Sequence, residues 1–83
     1  MITVPQIRAA RGLLGWSQSE LAARAGLSLP TVKRVEGGGD IKVSDDAKAK
    51  LRRALEQAGV EFIEENGGGT GVRFRKPANR SKR

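Results

Sequence analysis

The chain has no cysteine and no histidine. These absences remove disulfide frameworks, thiolate or imidazole zinc sites, a catalytic thiol and every triad built on a histidine base. Aromatics are nearly as scarce, the whole set being Trp16, Phe62 and Phe74. An RNA-binding module needs exposed rings for bases to stack on, and all three rings read as core residues, which ranks that class low. No apolar run approaches the length of a membrane span. The opening MITVPQIRAARGLL sets a proline and two arginines where a signal peptide needs its apolar stretch, so a soluble, cytoplasmic protein is expected. Eighty-three residues fit one small domain with too little buried surface for comfortable stability, and dimerisation or a metal is the ordinary remedy. No metal site, cofactor or catalytic residue is assigned.

Positive charge is in excess. Lys and Arg number 16 against 9 Asp and Glu, a formal net charge of +7. Such a surplus points to a polyanion, nucleic acid first and an anionic membrane surface second. It is unevenly distributed: residues 1–39 carry a net +3, residues 40–71 carry −2 and residues 72–83 carry +6. A middle segment of opposite sign argues for two separate basic patches rather than a uniformly cationic surface.

Helix start and stop signals recur at regular places. Thr3 with Gln6 reads as a capping box, and Val4, Ile7, Ala10 and Leu14 keep one face until Gly15. Ser17 with Glu20 reads as a second capping box, opening a short helix in which Leu21, Ala22 and Ala25 share a face before Gly26. Ser28 caps a third helix, with Pro30 in its first turn and Val32 and Val35 facing inward until Gly37. Ser44 caps a fourth, with Asp45 and Asp46 in the first turn, an inward stripe of Ala47, Leu51, Ala54, Leu55 and Ala58, and Gly59 as its stop.

The period then changes. Val60 to Glu64 and Val72 to Lys76 alternate like strands, and Asn66 followed by glycines is hairpin chemistry. Val60 and Phe62 are expected on one face opposite Val72 and Phe74, with Glu61 and Glu65 against Arg73 and Arg75 on the other. That second face also carries Ile63, an apolar residue for which the chain itself offers no cover. The glycine triplets at 37–39 and 67–69 read as loops: no Gly-Lys-Ser/Thr follows either one and no βαβ unit surrounds them. Glu64 and Glu65 are paired carboxylates without an active-site pocket nearby, so a solvated or cross-strand role is expected.

The second and third helices, joined by the turn Ala25-Gly26-Leu27-Ser28, read as a helix-turn-helix. Residues 7–38, IRAARGLLGWSQSELAARAGLSLPTVKRVEGG, resemble the Cro and phage-repressor family, often called the Xre family: arginine in the first helix, G-x-S-Q-x-E-L-A, A-G-L-S, then V-x-x-V-E-x-G. The resemblance implies a mainly α fold, a four-helix lambda-repressor-like domain over residues 1–59. It is followed by a β-hairpin over 60–76 and a disordered basic tail over 77–83. It implies double-stranded DNA as partner, with Leu29, Pro30, Lys33 and Arg34 on the outward face of the third helix as base readers. Ser17, Gln18, Ser28 and Thr31, at helix N-termini, are the phosphate contacts, with Lys42 and the backbone of residues 37–39 as weaker ones. Arg11 and Glu36 occupy the family's ion-pair positions, and Trp16 stands where the family places a core residue.

The family's usual fifth helix is replaced here by hairpin-like sequence. A lone hairpin is marginal in water, so Val60, Phe62, Ile63, Val72 and Phe74 are expected to form a homodimer interface. The expected function is a sequence-specific regulator, a repressor acting as a homodimer on a palindromic operator, and not an enzyme. The rival reading is an antitoxin or other protein-binding partner, whose antagonist or toxin is unknown and which also binds its own promoter.

Overall fold

The computed structural model describes residues 2–37 and 44–75. Lys42, the second and third glycines of the first triplet, and the basic segment 77–83 lie outside the described residues. In chain order the elements are α1 (Val4–Leu14), α2 (Gln18–Ala25), α3 (Leu29–Gly37), α4 (Asp45–Gln57), β1 (Val60–Ile63) and β2 (Gly71–Phe74). The fold is mainly helical, four helices followed by a two-stranded antiparallel hairpin.

Each helix starts where a hydroxyl can satisfy a first-turn amide. Thr3 Oγ1 accepts from the Gln6 amide and Gln6 Oε1 accepts from the Thr3 amide, so α1 has a complete capping box. Ser17, Ser28 and Ser44 accept from the amides of Glu20, Thr31 and Ala47. At Ser17 the expected box is one-sided, because the Glu20 carboxylate is drawn forward to Arg24 Nε at 2.7 Å, one turn along α2. Gly15 and Gly26 close α1 and α2 in the left-handed region, with φ of 69° and 72°. The next amides, those of Trp16 and Leu27, reach back to Arg11 O and Ala22 O to complete the helix ends.

The inward stripes meet in one core. Ile7, Leu21, Val32, Val35, Leu51, Leu55 and Val60 are fully buried, and Trp16, Leu14 and Leu27 pack on its margin. The core runs past Gly59 into the hairpin, where β1 pairs with β2 in the register Val60 to Phe74, Glu61 to Arg73, Phe62 to Val72 and Ile63 to Gly71. Arg73 Nε donates to Glu61 Oε1 at 3.2 Å, the cross-strand pair expected.

Two expectations for the hairpin are corrected. The Glu65–Arg75 pair does not form: in the antiparallel register that sets Glu61 against Arg73, Arg75 falls opposite Gly59, at the other end of the ribbon from Glu65, its amide donating to Gly59 O at 2.8 Å and its guanidinium to Glu56 O. A helix C-terminus leaves carbonyls that attract a cation, and Arg75 supplies it. Val60 and Phe62 are buried in the chain's own core, in one cluster with Ile7 and Leu55, and so do not face outward for a second protomer. Ile63 stays half-exposed on the outer face, its Cδ1 at ordinary contact distance, 3.9 Å, from where a β-carbon on Gly71 would stand.

Candidate nucleic-acid interface

A helix that reads DNA must show one face to the groove while the other is anchored to the protein. In α3 the anchored side is Val32, Val35 and Glu36, all buried. The other side carries Leu29, half-buried, and Pro30, Lys33 and Arg34, exposed. Positions 29, 30, 33 and 34 lie one turn apart and share a face, so the four residues expected to read bases form one contiguous surface.

The turn before α3 depends on Gly26. A β-carbon there would touch nothing within 4 Å, so glycine is required for its positive φ rather than for space. Ser28 then caps α3, and its Oγ also lies 2.8 Å from Thr31 Oγ1. These hydroxyls sit beside the open amides of the α3 N-terminus, as Ser17 does for α2. A helix N-terminus with exposed hydroxyls has the electrostatics and donors that hold an anion.

Glu36 is the charged residue of the core, with 3% of its side chain exposed. Arg11 grips it with two prongs, Nε to Oε2 at 2.8 Å and Nη2 to Oε1 at 2.9 Å. The remaining nitrogen, Nη1, donates to Trp16 O at 3.0 Å in the α1–α2 connection. The hydrogen bond with Glu36 raises the Arg11 pKa above its ordinary value, and burial opposes it only in part, so the guanidinium stays charged. Arg11 therefore ties α1, the loop into α2 and the end of α3 into one unit.

Sequence reasoning missed the third member of this group. Gln18 Nε2 donates to Glu36 Oε1 at 3.0 Å, so one of its two amide hydrogens points inward. Gln18 was expected only to meet phosphate, and its position one residue inside an N-cap carried no signal of an inward bond. Trp16 packs at the core margin with the Arg24 guanidinium 5.0 Å from its ring centroid, a cation–π contact.

A family model described as helix-turn-helix matches residues 7–56, from the first turn of α1 to the last of α4. The chain belongs to the Xre, lambda-repressor-like helix-turn-helix family. It is a DNA-binding helix-turn-helix regulator. Among curated proteins none matches it. The helix-turn-helix match stops before β1, so the hairpin is an addition to the family's matched region. Among the described residues no helix is long and apolar enough to cross a membrane.

Proposed function

We propose that the chain is a cytoplasmic transcriptional repressor that binds a palindromic operator as a homodimer, and that it acts by binding rather than by catalysis. The observation that supports this most is the pairing of opposites on α3: Lys33 and Arg34 exposed on one side, Glu36 held by Arg11 on the other. A reading helix fixed in this way pays little orientational entropy on docking. Arg34 offers its fork to guanine O6 and N7, Lys33 a second donor, and Leu29 and Pro30 an apolar surface for a thymine methyl group. Ser17, Gln18, Ser28, Thr31 and Lys42 are the residues assigned to phosphates.

The dimer contact is assigned to what the hairpin leaves exposed. With Val60 and Phe62 buried and Val72 packed against the core, Ile63 on the outer face of the ribbon and Phe74 at the end of β2 remain half-exposed. Two reading helices joined through it would address half-sites about 34 Å apart. Selection of bound sequences from random duplex DNA by the purified protein tests the whole reading. A palindrome with that spacing is expected. A single short motif without symmetry would reduce the chain to a monomeric regulator, and the absence of any enriched sequence would overturn sequence-specific binding.

A further inference from the structure

Gln6 is 4% exposed, and both polar atoms of its side chain are engaged. Oε1 accepts from the Thr3 amide at 2.8 Å, which is its capping duty. Nε2 donates to Ile63 O at 3.1 Å and to Gly71 O at 2.9 Å. Ile63 and Gly71 are partners across the hairpin, so the two amide hydrogens grip one strand each, at the loop end of the ribbon. At the opposite end Arg75 ties the ribbon to Gly59 and the last turn of α4. The hairpin is thus held at both ends, to α1 through Gln6 and to α4 through Arg75, with Val60 and Phe62 buried in the core beneath.

An apolar residue at position 6 would bury as well but would not be directional. Two hydrogen bonds to paired carbonyls define one attitude of the ribbon on α1, whereas apolar packing tolerates small slides. Five residues further along, the same helix carries Arg11, which holds Glu36 at the end of the reading helix. α1 therefore links one clamp to the other. The two clamps stand about 7.5 Å apart along the helix axis, so a tilt of roughly 24° at Gln6 displaces the Arg11 end by about 3.4 Å, the rise of one base pair.

We infer that Gln6 is a positioning residue that sets the attitude of the hairpin relative to α3, and through it the half-site spacing that the dimer accepts. The inference rests on the reading of the hairpin as the dimer contact. Gln6→Glu keeps an acceptor for the Thr3 amide but turns a second oxygen on the two strand carbonyls; Gln6→Met keeps length and burial and removes direction.

The experiment uses the full chain, wild type and both variants, on a duplex series carrying two copies of the selected half-site with spacers varied one base pair at a time, and on a duplex with a single half-site. Sedimentation on the same samples reports dimerisation. The wild type is expected to prefer one spacer by about tenfold or more over its neighbours, because simultaneous engagement is lost when geometry fails. Both variants are expected to fold, to dimerise and to bind the single half-site within about twofold of wild type, while their spacer preference flattens to about threefold or less. A dimeric variant that keeps the wild-type spacer preference overturns the inference and leaves the dimer reading standing. A monomeric wild type, or one indifferent to spacing, overturns the dimer reading and this inference with it. Unfolding of both variants also overturns it, since Gln6 would then be a support of the fold alone.

Discussion

Arg11 and Gln18 donate to the same oxygen: Nη2 of the arginine and Nε2 of the glutamine lie 2.9 and 3.0 Å from Glu36 Oε1. One buried carboxylate at the end of α3 is therefore read by α1 and by the first residue of α2 together. A carboxylate taken out of water keeps its charge only where donors replace the lost hydration, and here three N–H groups do so. Because Gln18 is also the first residue of α2, the start of that helix and the end of α3 share a residue.

Arg11→Ala is expected to lower stability and DNA affinity together. It leaves Glu36 buried with Gln18 as its remaining partner, and breaking such a pair costs on the order of 3 kcal/mol. Gln18→Ala removes one bond of three and is expected to cost about 1 to 2 kcal/mol. Urea unfolding and DNA titration of the two variants check the order. Unchanged Tm and affinity in Arg11→Ala would show that the node does not orient α3.

Arg34→Ala is expected to weaken binding to the selected site by about 1 to 3 kcal/mol and to relax preference at one base position, since a bidentate contact is lost. The measurement is affinity on the site and on its single-base variants. Equal weakening on random DNA would move Arg34 to the phosphate-contacting class.

Gly26→Ala separates conformational cost from steric cost. The site has open space around it and a φ of 72°, so the loss comes from the backbone alone, about 1 to 2 kcal/mol. Gly26→Asn, whose side chain tolerates this region better, is expected to lose less. Chemical denaturation with an unchanged slope for both variants supports this; an alanine variant as stable as wild type would show that the turn has another conformation.

Deleting residues 77–83, which carry Arg80, Lys82 and Arg83, tests whether the second basic patch reaches DNA. Each phosphate neutralised contributes roughly −0.9 to the slope of log affinity against log salt, so the deletion is expected to flatten that slope by about one to three units per dimer. The preferred sequence should not change. An identical slope would confine the DNA contact to the helix-turn-helix.

The four helices were legible in the sequence because what starts and stops a helix is local. Ser17, Ser28 and Ser44 bond amides three residues away, and Gly15 and Gly26 take φ values that other residues avoid. The inward stripes were legible for the same reason: Leu51, Ala54 and Leu55 fall on one side of α4 by the helical period alone. The exposed face of α3 followed by subtraction, Lys33 and Arg34 being what Val32 and Val35 leave outside. The hairpin register was half legible, with Glu61 meeting Arg73 but Glu65 missing Arg75. Antiparallel strands run in opposite directions, so once Glu61 faces Arg73 the residue two further along β2, Arg75, faces Gly59 and the end of α4. What the sequence did not disclose was where the hairpin lies. Gln6 meets Ile63 and Gly71 from 57 and 65 residues away, and Val60 and Phe62 join a core built by helices far from them in the chain. Local propensity carries no record of such contacts, because they exist only once the helices have packed and left a polar amide and an apolar cleft facing the same ribbon.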